Sequence, residues 1–243
     1  MSKVLIVSAV IAAALAAATL FIKNESVEND EECSSSDRFC SFEELKRVYS
    51  EGEDWEIQTR DSQSDRMLVS AIHGGGIEQA TTQLADAIAG DEYDYYTFKG
   101  KLSSGNFENL HITSIHFDEP EALNMVHAVD HHISIHGAKG EEPKTFIGGL
   151  NEDLRKLIAQ HLKERGFAVE EAAEHLNGDH PENIVNQSKA KQGVQLELTR
   201  EQREAFYKNG DISYSSRSKA SNQTEAFKRY VKAIRAAIVE YEQ

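Results

Sequence analysis

Six consecutive residues, His73-Gly74-Gly75-Gly76-Ile77-Glu78, set an imidazole and a carboxylate on either side of three glycines, where an apolar run gives way to a helix-like one. Glycine tolerates positive φ and close backbone approach, so the chain can fold back here until the Glu78 carboxylate faces the His73 ring. A nitrogen donor and an oxygen donor brought together suit a zinc ion. A catalytic zinc takes three protein ligands and keeps a position for water. The competing account is a glycine-rich turn whose glutamate favours a helix start and binds nothing.

The sequence holds ten histidines, and the nine besides His73 are the pool for the third ligand. His136 is the best placed, because it ends the strand-like run His132-Ile133-Ser134-Ile135-His136 and opens into Gly137, so its ring can emerge at the sheet edge beside His73. His116 is the alternative ligand: it also ends a strand-like segment, and Asp118 beside it can orient the ring. His131 and His132 precede their strand and read better as satisfied or surface histidines. His111, His127, His161, His175 and His180 read as structural or exposed. A metal-activated water needs a nearby base that does not itself ligate. Glu197, the lone acid in Val194-Gln195-Leu196-Glu197-Leu198, is the candidate; the alternative is the polar face of an edge strand.

The elements that must position these groups alternate along the chain. Residues 67–72 and 132–136 read as strands, as do 55–59, 93–98, 110–115, 167–169 and 194–198. Helical patterns occupy residues 41–50, with Ser41 and Glu44 as a capping box, and 81–89, 120–129, 151–165 and 225–242. This alternation predicts an α/β fold, a three-layer sandwich around a mixed parallel and antiparallel sheet. Residues 210–221 are polar and serine-rich and read as an exposed loop.

The 243-residue chain divides into three parts. Residues 4–22 carry no charge and follow Lys3, so residues 1–22 are a signal peptide or membrane anchor. Residues 23–40 form an acidic linker that includes Asp37 and can carry a Cys33–Cys40 disulfide in an oxidising compartment. Residues 41–243 make one hydrolase-sized domain. The expected location is secreted, or membrane-anchored outside the cytoplasm, with membrane contact only through an uncleaved N-terminal segment. A formal charge of −15 disfavours nucleic-acid binding, and no obligate protein partner is implied.

Taken with residues 111–120 and Ser134-Ile135-His136-Gly137, the His73 to Glu78 run and the Glu197 strand resemble the poly-γ-glutamate hydrolase family, zinc amidohydrolases on a carboxypeptidase-like fold. The resemblance covers residues 42–243 and implies one zinc ion. In the wider zinc carboxypeptidases two ligands follow one strand, a third ends a Ser-Ile-His strand, and a glutamate in an apolar strand is the general base. His73, Glu78, His136 and Glu197 match these in chain order. The first pair is spaced two residues wider than in those carboxypeptidases, which suits the γ-glutamate hydrolase branch. No arginine matches those that hold a substrate carboxylate there; Lys99, Lys139, Lys144 and Arg200 read mainly as surface cations. The implied reaction is hydrolysis of γ-glutamyl amides in a polyanionic polymer. A zinc amidase or carboxypeptidase acting on a smaller amide, and a non-catalytic exported binding protein, are the alternatives.

Overall fold

The computed structural model describes residues 37–243. The leader, most of the acidic linker and Cys33 of the Cys33–Cys40 pair lie outside the described residues. Among the described residues no helix is long and apolar enough to cross a membrane.

Seven strands form one sheet: β1 (Trp55–Arg60), β2 (Met67–Gly75), β3 (Asp94–Gly100), β4 (His131–Gly137), β5 (Thr145–Gly148), β6 (Val169–Glu171) and β7 (Val194–Leu198), in the order β1-β3-β2-β4-β7-β5-β6. The four central strands β3, β2, β4 and β7 run parallel, whereas β1 on β3 and β5 on β7 are antiparallel. The mixed sheet of the sequence reading is therefore present.

The period-2 alternation of strand side chains divides the core into two. Met67, Val69 and Ala71 of β2, Ile133 and Ile135 of β4, and Val194, Leu196 and Leu198 of β7 face one cluster. This cluster is closed by α2 (Thr81–Ala89), α5 (Glu152–Glu164) and α8 (Glu225–Tyr241). Leu68 and Ile72 face the other cluster, closed by α1 (Phe42–Lys46), α3 (Asn106–Leu110) and α4 (Pro120–Ala128). α5 illustrates the local logic. The Asn151 side chain caps it by accepting from the Leu154 N–H, and Leu154, Ile158 and Leu162 form its buried face. Each such fully buried side chain contributes about 1.5–3 kcal/mol.

Three local expectations are corrected. Residues 110–115 are not a strand: after α3 the chain is irregular. Leu110 and Ile112 alternate inward because they pack into the second core, while the Thr113 N–H pairs with Asp37 instead of a ladder neighbour. The first helix stops at Lys46, leaving Leu45 buried and Val48 exposed. After α6 (Arg200–Glu204), residues 210–221 contain a short helix, α7 (Tyr214–Arg217), with Ser216 and Arg217 buried.

Candidate active site

β2 and β4 are adjacent parallel strands whose onward connections leave to opposite sides, β2 to β3 on one side and β4 to β5, beyond β7, on the other. Such a switch point opens a crevice at the carboxyl ends of the strands. His73 and His136 stand at these ends, and Glu197 on β7 is the register partner of His136. Strict alternation would send His73 to the same face as Val69 and Ala71. A bulge prevents this: between Ala71 and Gly74, two residues of β2 oppose one of β3. That extra residue re-aims the imidazole into the crevice.

The glycine turn then returns Glu78. Its N–H donates to the His73 carbonyl at 2.9 Å, and Ile77 donates to Gly74 at 3.2 Å. Gly75 has φ of +65°, and a Cβ there would collide with the Gly100 backbone, so no other residue fits without displacing β3. Glu78 lies before α2 and not in its first turn.

His73 Nδ1 lies 3.2 Å from His136 Nδ1 and 3.3 Å from Glu78 Oε1, and His136 Nδ1 is 3.6 Å from Glu78 Oε2. All three side chains are buried. The remaining ring nitrogens are anchored: His73 Nε2 donates to the Ile112 carbonyl at 2.8 Å, and His136 Nε2 pairs with Ser134 Oγ at 2.8 Å. Since a carbonyl only accepts, the neutral His73 ring carries its proton on Nε2 and turns the Nδ1 lone pair toward Glu78 and His136. The Gly137 N–H fixes Glu78 by donating to Oε2 at 2.8 Å.

Electrostatics follow from this crowding. Burial, reinforced by His111, pushes the His73 pKa down to about 4. Burial alone would raise the Glu78 carboxyl, but the two histidines hold it well below the usual carboxylate range. His136 moves up despite its burial, because Glu78 and Glu197 favour its charged form. Burial pushes Glu197 up to about 7, with Glu78 adding to the effect and His136 opposing it. Glu197 Oε1 accepts from Gln195 Nε2 at 3.0 Å, and Asn183 in turn donates to Gln195 at 3.0 Å. Glu197 therefore sits on a central strand, not the edge strand of the alternative reading.

The structure brings His73, Glu78, His136 and Glu197 together in one pocket of about 720 Å³. His116 does not line it, and Asp118 accepts from the Phe42 N–H at 2.6 Å, tying down α1 instead of orienting a ligand. The histidine this loop contributes is His111. Its ring lies 4.0 Å from the His73 ring, and its Nδ1 meets Asp37 at 2.6 Å. Asp37 also accepts from the Thr113 N–H, and its pKa stays low against its burial because of these partners. His73, Glu78 and His111 each offer a ligand atom within 4.8 Å of one another. The set completed by His136 is tighter, so His111 sits at its margin with one nitrogen anchored by Asp37. Asp37 had no legible signal, being one acid among several in an acidic run.

The sequence model described as poly-gamma-glutamate hydrolase matches residues 39–233. Among Bacillus subtilis (strain 168) proteins, the UPF0714 protein YmaC is 35% identical over 204 residues, covering 83% of this chain and 84% of its own, and the UPF0714 protein YndL is 36% identical over 209 residues, covering 82% and 79%. The structure of a bacteriophage poly-gamma-glutamate hydrolase superposes with a TM-score of 0.81 at 37% identity, over 85% of this chain and 98% of that one. A zinc-free structure of YndL superposes with a TM-score of 0.78 at 33% identity, over 84% and 98%. With the matched region spanning every residue of the crevice except Asp37, the chain belongs to the poly-γ-glutamate hydrolase family.

Proposed function

We infer that the protein is a zinc-dependent hydrolase of γ-glutamyl amide bonds, acting on poly-γ-glutamate outside the cytoplasm. The observation that carries this reading is the convergence of two imidazole Nδ1 atoms and one carboxylate at separations of 3.2, 3.3 and 3.6 Å. Tetrahedral zinc with bonds of 2.0–2.2 Å sets its donors about 3.3–3.6 Å apart, so the three groups fit one ion. The donor chemistry fits as well, two imidazoles and an anion buried with a lone pair turned inward.

His73, Glu78 and His136 would hold the ion, which supplies Lewis acidity to a carbonyl and lowers the pKa of water beside it. Glu197 faces the same point from β7. Its burial favours the protonated acid, and a cation at the ligand set pulls it back toward the carboxylate, leaving it able to accept a proton from water and pass it to the departing amine. Gln195 holds its Oε1 by donating at 3.0 Å, which fixes the carboxylate's direction. Asp37 and Ile112 orient His111 and His73 from behind.

The test is the chain length of poly-γ-glutamate after incubation with the protein, with and without a zinc chelator. Chelator-sensitive shortening supports both activity and metal. An uncut polymer with zinc measured in the protein would overturn the polymer reading and leave a smaller amide as substrate.

A further inference from the structure

Beside the catalytic pocket lies a second cavity of about 800 Å³, and Phe107 lines both. Lys99, Lys101, Arg200, Arg203 and Arg217 line this groove, against two acids, Glu56 and Glu108. Such a concentration of cations is unexpected in a chain of net charge −15. Glu56 is taken up by Lys99 at 2.5 Å and Lys101 at 3.2 Å.

Two of the three groove arginines, Arg203 and Arg217, are buried, 8% and 5% exposed, and neither meets a carboxylate among its hydrogen-bond partners. Arg203 donates to the carbonyls of Leu198, Gln79 and Ala138, and Arg217 to those of Ile212 and Gly75. A guanidinium has five N–H donors, so both retain unused ones, and Arg217 Nε is buried without any partner. Arg217 is a buried cation with no carboxylate partner, which is costly unless an anion arrives, while Arg203 feels the charge of Glu78 and Glu197 across the turn and still leaves donors open. Their placement is specific: through Gln79 and Gly75 they grip the glycine turn from the groove side, and a Cβ on Gly137, which lines the catalytic pocket, would strike the Arg203 guanidinium. Phe107, 40% exposed, and Tyr214, 70% exposed, are apolar rims for the same groove.

We propose that this groove is an extended subsite for the α-carboxylates of a γ-linked glutamyl chain, Arg203 taking the carboxylate nearest the catalytic pocket and Arg217 one farther along. The proposal rests on the γ-glutamyl reading above and names the side chains that recognise that substrate. Bidentate guanidinium–carboxylate pairing supplies the geometry, and the methylenes of each glutamyl unit lie along Phe107 and Tyr214. The groove also resolves how an acidic protein holds a polyanion: attraction is local, at one cationic strip.

The experiment measures binding of fluorescently labelled poly-γ-glutamate to the full-length Glu197→Gln protein, which separates recognition from turnover. Methyl-esterified poly-γ-glutamate and α-linked polyglutamate are the comparison ligands. Adding Arg217→Gln is expected to weaken binding of the γ-polymer at least tenfold, as loss of a charge-assisted pair does. Lys101→Glu, on the exposed wall, is expected to weaken it as well and remains informative if the arginine variant does not fold; Lys156→Gln on α5 is the control. Esterified and α-linked polymers are expected to bind more weakly than the native one. Unchanged affinity in a folded Arg217→Gln or in Lys101→Glu, or equal affinity for either comparison polymer, overturns the proposal. Wild-type turnover is scored separately. Groove-dependent binding without cleavage sinks the hydrolase reading and spares the groove, whereas cleavage whose KM is indifferent to both substitutions does the reverse.

Discussion

The candidate active-site pocket and the basic groove share Phe107 in their linings yet pose opposite electrostatic problems. The pocket gathers acids and imidazoles, with burial pushing His73 down to about 4 and Glu197 up to about 7, while Glu78 and Glu197 move His136 the other way, up. The groove gathers guanidinium groups whose donors are satisfied by backbone carbonyls and left partly idle. The difference teaches that one acidic fold can hold two sites of opposite electrostatic demand, provided rigid backbone separates them. The glycine turn is that divider, carrying the proposed ligands His73 and Glu78 on one side and accepting both arginines on the other.

The largest effects should fall on the pocket alone. His73→Ala is expected to abolish zinc binding and lower turnover by about a thousandfold or more, the several kcal/mol a catalytic metal supplies. Glu197→Gln is expected to keep zinc and lose about a hundred- to ten-thousandfold in kcat. Metal analysis beside kinetics separates the two, and full zinc content in His73→Ala would falsify the ligand assignment. Asp37→Asn should cost up to about tenfold in activity, because His111 packs against the His73 ring without belonging to the ligand set, with little change in metal content or melting temperature. Normal kinetics in that variant would make the aspartate merely a tether for the N-terminal segment.

Acid should also discriminate between the regions. Burial pushes the His132 pKa down to about 3, while its Nε2 lies 2.8 Å from Ser70 Oγ. The unfolded chain binds this proton near pH 6.5, so the stability it contributes is whole above that value and is lost as pH falls toward 3. The slope approaches about 1.4 kcal/mol per pH unit, or tenfold in the unfolding constant, and His73 adds in the same direction in metal-free protein. Thermal melts between pH 7 and 4 should therefore steepen with acid, and His132→Gln should flatten them. The smallest effect belongs to the groove: raising salt from low ionic strength should increase KM for the polymer several-fold and leave kcat unchanged, because only the exposed cations are screened. A salt-insensitive KM would argue that the polymer does not use the groove.

Strands β2, β4 and β7, the helices near residues 81–89, 120–128, 152–164 and 225–241, and the candidacy of His73, Glu78, His136 and Glu197 were legible in the sequence from local pattern: alternation around Ile133 and Leu196, Asn151 before Leu154, three glycines between His73 and Glu78. The misreadings share a cause. Residues 110–115 alternate like a strand because they pack against a core, and periodicity does not distinguish a ladder from a packed loop. His116 and Asp118 made a plausible pair in sequence, while the actual pair, His111 with Asp37, spans 74 residues. Arg203 and Arg217 gave no signal because their environment comes from the turn at Gly75 to Gln79, far away along the chain.

By itself, then, the sequence determined which donors exist and that short-range geometry would bring His73 back toward Glu78. Only the tertiary structure decided that β4 and β7 deliver His136 and Glu197 to that point, that a bulge turns His73 into the crevice, and that two distant arginines lie behind it. The physical reason is that glycine conformation and side-chain period are properties of neighbouring residues. Strand order, burial and the pairing of charges depend on which distant segments share a core.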